Sequence, residues 1–489
     1  MYSKSCFTLV LSVLFLSLGL FQYQYAQPPD TLWTKTFGGV ASDAGRTVQQ
    51  TIDGGYIIAG RTISFGAGGG DAWLIKTNAA GDTLWTKTYG GVDDDYAESV
   101  QQTNDGGYIL AGMTESFGVG DFDVWLIKTD AAGETLWTKT FGGSYWDYGY
   151  SVQQTTDQGY IITGITRSFG AGGIDVWLIK TDTLGETLWT KAYGGSSNDG
   201  ANSVQQTTDQ GYIVTGYTES FGAGEWDVWL IKTDTLGDTL WTKTFGGVSW
   251  DEGSCVQQTT DGGYIVAGRT SSYGSGTASA YLIKTNASGD TLWTKVIGGS
   301  GYDEALSVQQ TTDGGYIIAG FTGSFGVVGH DVFLVKTNDL GDTLWTKTIG
   351  GDDYEWSYSV QQTTDGGYIT AGPTGSFGAG AEDIWLIKLG PSGVAQSERA
   401  TMLTISVVNQ PNPFSTSTNI SYSIAHSDFI TLSIYNVLGR KVKTLVSGFK
   451  RAGKHSATFD ATKLSSGVYC CVLRVGDDFV RTKKMLLLR

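Results

Sequence analysis

The word TLWTK first occurs at Trp33 and returns at Trp85, Trp137, Trp189, Trp241, Trp293 and Trp345, always 52 residues on and never with an insertion or deletion. A fixed period of this length marks a repeat architecture, in which each unit buries its apolar face against the next. Three further words keep the same spacing. SVQQT or a near relative is centred on Val48, Val100, Val152, Val204, Val256, Val308 and Val360. GYIIAG or a relative follows after Asp-Gly-Gly or Asp-Gln-Gly. DVWLIKT or a relative carries Trp73, Trp125, Trp177, Trp229 and Trp385, with Tyr281 and Phe333 in the two remaining copies. Seven units occupy residues 31–389.

Each unit reads as four short strands. Asp-Gly-Gly between two apolar or alternating runs is a hairpin signal, because Gly supplies the positive φ a tight turn needs. A second hairpin joins VWLIKT to TLWTKT through loops such as Asp182-Thr183-Leu184-Gly185-Glu186. In TLWTKTF, Trp33, Lys35 and Phe37 share one face and Leu32, Thr34 and Thr36 the other. Helical periodicity is absent from these units. Four strands in each of seven units of this length predict an all-β chain built on a seven-bladed β-propeller. The competing β-solenoid has shorter coils without two hairpins each. The units resemble the secreted bacterial β-propeller repeat family, whose motifs speak to fold and hardly to function.

A blade's innermost strand comes first and is followed by a tight turn, so SVQQT is the inner strand and TLWTKTF the outer one. The repeats begin with an outer strand, Thr31 to Phe37, and end on a third strand, Ile384 to Leu389. The N-terminal strand is therefore expected to complete the last blade. This phase puts the outer-to-inner loops and the second-to-third loops on one face. An acidic residue recurs in the first set (Asp43, Asp95, Asp147, Asp199, Asp251, Asp303, Glu355) and in the second (Asp71, Asp123, Asp175, Asp227, Asp331, Asp383, with Ser279 the exception). Repetition in every blade favours loop capping over a cation-binding rim, since a binding site breaks the symmetry and a folding device is repeated. The turn residue Asp53 and its six equivalents read the same way.

Residues 1–26 read as a secretory signal, with Lys4 at the start, an apolar run from Phe7 to Leu20, and Ala26 before a cut at Gln27. Gln24 stands where a second small residue is preferred. A membrane anchor would need about 20 apolar residues. The four cysteines of the chain rule out a disulfide-dense scaffold, and Cys255, Cys470 and Cys471 remain after the cut. The net charge of −16 argues against nucleic acid as a partner, because phosphate binding needs clustered cations.

Composition changes at residues 390–400, a linker with the sequence GPSGVAQSERA if its first residue is taken as Gly390. From Glu398 onward 13 Lys+Arg stand against 5 Asp+Glu, whereas residues 27–397 hold 18 against 43. Strand-like runs at Thr401–Val408, Asn419–Ile424, Phe429–Asn436, Lys441–Val446, His455–Asp460, Gly467–Val475 and Phe479–Leu487 predict a small immunoglobulin-like β-sandwich over residues 401–489. The segments NQPNPF (Asn409–Phe414), LSIYNVLGRKVKTLV (Leu432–Val446), AGKHSATFDATKLSSGVYCCVL (Ala452–Leu473) and TKKMLLLR (Thr482–Arg489) resemble the C-terminal sorting domain of type IX secretion cargo. The resemblance implies export through the periplasm, recognition at the outer membrane by the type IX machinery, and release or attachment at the surface. Lys483, Lys484 and Arg489 form a candidate handle for that machinery. Cys470 and Cys471 stand where the family carries aromatic or aliphatic residues. A plain spacer or carbohydrate-binding module is the competing reading.

Function is expected where the units differ, and the outer-to-inner loops differ most. Tyr145, Trp146, Tyr148, Trp250, Tyr302, Tyr354 and Trp356 are the candidate ligand-binding residues, with Trp226 and Phe122 in neighbouring loops. Indole faces stack on the apolar faces of sugars and carboxylates accept their hydroxyl hydrogens, so an extracellular glycan is the first candidate ligand and a protein the second. The competing classes are a glycosidase or lyase, for which paired carboxylates suffice, and a structural repeat protein with no dedicated ligand. No nucleophile elbow and no His/Cys cluster with metal-ligand spacing occurs, so no catalytic residue, metal or cofactor is named and a monomer is expected. His330, alone in its loop, reads as solvent-exposed.

Overall fold

The computed structural model describes residues 27–391 and 406–488, apart from residues 328, 425–427, 438, 451–452 and 476–478. The signal segment and most of the linker lie outside them. The chain divides into two compact units at Val394/Ala395. The described residues form strands and turns only.

In the first unit, strand β1 spans Thr31–Phe37, β2 Asp43–Gln50, β3 Tyr56–Thr62, β4 Asp71–Thr77 and β5 Thr83–Tyr89. Strands β2, β3, β4 and β5 form one four-stranded antiparallel sheet in chain order. Five more sheets repeat this order, ending at Ile349. The seventh runs β1, Asp383–Leu389, Tyr368–Thr374, Ser359–Gln362. SVQQT is thus innermost and TLWTKTF outermost. The N-terminal strand completes the last blade, with Thr31 opposite Leu389 and Phe37 opposite Ile384. The last inner strand is short: Pro373, which faces Trp356 ahead of it, has no N–H to return to the ladder there.

The recurring Gln pair explains how the ring closes. The inner edge of each blade carries backbone N–H groups that its own sheet leaves unpaired, and buried N–H groups need partners. Gln102 N donates to Gln49 Oε1 of the preceding blade at 2.6 Å, and the same bond recurs around the circle to Gln50 N and Gln361 Oε1. The second glutamine reaches the other way. Ile52 N donates to Gln102 Oε1, and Thr364 N to Gln50 Oε1 across the seam. Fourteen side-chain bonds of two kinds, one of each at every junction, therefore tie neighbouring inner strands.

The core lies between blades. One cluster joins Ile57, Ala59, Ala72 and Leu74 of the first blade to Val100, Tyr108, Leu110 and Trp125 of the second. Each outer-strand Trp meets the Tyr of the next blade edge to face, as in Trp33 with Tyr56 and Trp85 with Tyr108, both at 5.9 Å. Rings in this arrangement contribute about 0.5–1.5 kcal/mol beyond their burial.

One lysine per blade lies inside this apolar wall. Lys232 Nζ lies 2.9 Å from Asp209 Oδ2 and donates at 2.9 Å to Thr233 O, and the other six blades repeat the ion pair. The turn aspartates are thus both caps and counter-ions. The loop aspartates are caps as well. Asp43 accepts from the Thr62 hydroxyl and from Gly39 N, and Asp71 accepts from Ala67 N at 2.8 Å. Asp71 Oδ1 and Asp95 Oδ2 converge beneath Gly90, where any Cβ would sit 1.9 Å from the Asp71 oxygen. Only glycine leaves room for that approach, and Gly142 and Gly194 repeat it beneath their own pairs.

The second unit is a two-sheet sandwich of the expected seven strands. One sheet orders Ser406–Gln410, Ser417–Ile424 and Gly453–Asp460; the other orders Lys441–Lys450, Asp428–Asn436, Gly467–Val475 and Phe479–Leu487. Residues 401–405, expected to open the first strand, lie outside the described set, and the Lys441 strand runs four residues past its expected end at Val446. Ile420, Tyr422 and Phe459 from one sheet pack with Ile430, Leu432, Leu473, Met485 and Leu487 from the other. Cys471 lies within this core as a small apolar residue, while Cys470 is half-buried; both are free thiols.

Candidate ligand-binding site at the channel mouth

The seven inner strands surround an axial channel. Halfway along, its wall is seven copies of the same pair, Val48-Gln49 and equivalents. Above that ring the wall changes in every blade. The equivalents of Arg46 are Glu98, Tyr150, Asn202, Ser254, Leu306 and Tyr358, and they line a cavity of about 230 Å³ together with Glu252 and Glu304. The register breaks at this position in six inner strands, so the residue bulges from the ladder. A bulge re-aims its side chain, here into the channel, without disturbing the pairs on either side.

Above the cavity is an aromatic belt. In blades two and three Tyr96 stacks on Phe122, Phe122 meets Tyr148 at 5.6 Å, and Tyr148 stacks on Trp146 at 5.1 Å. Arg167 lies over the Trp146 ring at 5.3 Å. In blades four and five Tyr217 stacks on Trp226 at 4.1 Å, and Trp226 leans on Trp250. In blades six and seven Tyr302 stacks on Phe321, and Phe321 on His330. Trp356 Nε1 donates to His330 Nδ1 at 3.1 Å. His330 is therefore part of the packing rather than a solvent-facing loop residue, and burial lowers its pKa against the pull of Asp303.

The charges at the mouth are nearly balanced. Arg46 Nε lies 3.3 Å from Glu98 Oε2, and Arg269 grips Glu252 Oε2 through Nε and Nη2 at 3.1 and 2.9 Å. Asn202 Nδ2 donates to Glu252 Oε1 at 2.9 Å. The Tyr302 hydroxyl receives a hydrogen bond from Arg269 and donates to Glu304 Oε2. Burial, helped by Glu252 and opposed by Arg269, pushes the Glu304 carboxyl up to about 7. Burial likewise raises Glu98, against Arg46.

The candidate residues named from sequence all lie at this face, in two tiers. Tyr145, Trp250 and Tyr354 project into solvent, 58%, 51% and 54% exposed. Trp146, Tyr148, Tyr302 and Trp356 are half-buried in the belt. Sequence reading missed the column of Arg61, Met113, Ile165, Tyr217, Arg269, Phe321 and Pro373, which sits on the second strand directly opposite the column of Ala44. Of the column of Arg46 the sequence singles out only the aromatic members, Tyr150 and Tyr358. Aligning the seven units position by position would have found both, since they vary as freely as the loops.

Comparison with known proteins assigns the second unit. Residues 410–487 match the family described as "Secretion system C-terminal sorting domain". This segment is the sorting domain of a type IX secreted protein, and the chain is exported to the outer-membrane surface or beyond. The curated relative "Regulatory protein FlaEY" of Caulobacter vibrioides is 27% identical over 230 residues, covering 40% of this chain and 24% of its own length. This chain therefore spans about a quarter of that relative. Among solved structures, Sqt1 from Chaetomium thermophilum matches with TM-score 0.40 at 10% identity, over 75% of this chain and 99% of its own. An S511A mutant of puromycin hydrolase matches with TM-score 0.45 at 10% identity, over 78% of this chain and 59% of its own. Endo-1,5-alpha-L-arabinanase from Thermotoga petrophila matches with TM-score 0.29 at 10% identity, over 74% and 100%.

Proposed function

We propose that this type IX-exported propeller is a non-enzymatic surface or extracellular binding protein, and that it holds an extracellular glycan on the face carrying the channel mouth. One observation carries the reading. Seven units whose strand words are nearly unchanged differ most in the columns of Ala41, Ser42, Ala44, Arg46, Arg61, Ile63 and Gly70, which lie toward that face. A purely structural repeat has no reason to concentrate its variation there. Of the three candidate tryptophans, Trp250 is exposed and Trp146 and Trp356 are half-buried, so none is lost in the core. Exposed indole and phenol rings suit the apolar faces of sugars. In the sorting domain, Lys483 and Lys484 are exposed on an edge strand, which suits a handle for the secretion machinery; Arg489 lies outside the described residues.

The test is a glycan and polysaccharide screen with the purified mature chain. Binding that is lost in Trp250→Ala and Tyr354→Ala supports the reading, and no binding to any sugar removes it. The competing glycosidase reading draws on Glu304, whose carboxyl near 7 has the proton a general acid needs, beside Glu252. Reducing-sugar release that disappears in Glu304→Gln would favour it.

A further inference from the structure

The geometry points to the mouth cavity as a receptor for the end of a neutral glycan chain, with the terminal sugar inserted along the channel axis and the following sugars against Trp250, Tyr354 and Tyr145. This rests on the glycan reading above and adds to it which part of the polymer is read.

Shape gives the first reason. The cavity of about 230 Å³ is framed by all seven blades. At about 30 Å³ per water it has room for seven or eight waters. That is space for one ring-sized group. A polymer lying across the face would touch the exposed aromatics and leave the mouth unfilled; a chain end fills it.

Chemistry gives the second. Arg46 and Glu98 offset each other, and so do Arg269 and Glu252. A strongly charged guest would meet no matching field. The remaining wall carries the hydrogen-bonding groups Tyr150, Asn202, Ser254 and Tyr358, the Glu304 carboxyl that accepts from the Tyr302 hydroxyl, and the apolar Leu306. Hydroxyl groups both donate and accept, and a pyranose ring has an apolar face for Leu306 and the phenol rings.

Isothermal titration of the mature chain against linear neutral oligosaccharides of glucose, mannose, galactose and xylose, and against cyclic glucans that have no end, tests the inference. Ser254→Tyr fills the mouth without touching the exposed aromatics. The fold accepts it, since the same position is Tyr150 in blade three and Tyr358 in blade seven. Two results are expected together: a linear sugar that binds at least tenfold tighter than any cyclic one, and at least tenfold loss of that binding in Ser254→Tyr at an unchanged melting temperature. Equal affinity for linear and cyclic glucans overturns chain-end recognition, as does Ser254→Tyr binding like the parent. If Trp250→Ala still abolishes binding in that case, the broader glycan reading survives. No binding of any of these sugars overturns both.

Discussion

The buried lysines make an asymmetric prediction. Lys232 is 4% exposed at its side chain and Asp209 is 57% exposed. Asp209→Ala leaves an ammonium walled off from water with only Thr233 O as a partner, and also removes the cap on Thr207 and Gly211. Breaking a buried pair from one side costs about 3–5 kcal/mol. Water entering the vacated, exposed carboxylate position lowers the expected loss to about 2–3 kcal/mol. Lys232→Met leaves a carboxylate that water already reaches and fills the slot with an unbranched apolar chain, so its effect is within about 1 kcal/mol. Urea unfolding at constant m reads the difference as a midpoint shift of roughly 1 M for m near 3 kcal/mol per M. The double substitution is expected to be more stable than Asp209→Ala alone, because it removes the stranded charge. A double variant less stable than Asp209→Ala, or a Lys232→Met loss as large as that of Asp209→Ala, would refute the reasoning.

Two further expectations concern the seam and the loop carboxylates. Deleting residues 31–39 removes the outer strand of the seventh blade with Trp33 and Phe37, and a thermal melt followed by circular dichroism should show a sharply lower transition; an unchanged curve would mean the seam contributes nothing. Burial, with a smaller push from Asp147 and against the Val119 N–H bond, raises Asp123 to about 6. A carboxyl raised above its unfolded value of about 3.9 adds stability that is full below that value and is lost as pH rises through 6. Asp123→Asn keeps an acceptor for Val119 N and offers an N–H toward Asp147, so it should be more stable than the parent at pH 7 and show a flatter profile from pH 4 to 6 in denaturant titrations.

The fold was legible because the repeat never drifts. A constant spacing fixes blade number, the Asp-Gly-Gly turn fixes phase, and phase dictates that Thr31–Phe37 must pair with Ile384–Leu389. What lies between blades was not legible. Lys76 and its equivalents sit in an apolar strand where a reader places them on a solvent face, and only the approach of the neighbouring turn shows that Asp53 meets them inside. The Gln49-Gln50 pair looks like a polar strand edge until the adjacent blade supplies the N–H groups it accepts. The site was half legible. Tyr145, Trp250 and Tyr354 stand out as loop aromatics, but Arg269 and Glu252 sit on ladder positions that read as ordinary strand, and only the bulge beside Glu252 and the curvature of the ring turn that column toward the channel.

The seam also sets an order of events. Thr31 and Leu389 are neighbours in space and, by subtraction of their numbers, 358 residues apart in sequence. Closing so long a loop in a free chain costs about 3–4 kcal/mol more than closing a hairpin of a few residues. The six intervening blades can form from local hairpins alone, and their stacking brings the two ends within reach. The first strand of the propeller therefore waits, unpaired, for the last one, and the ring locks only when the whole of it is present: the delay is written into the connectivity.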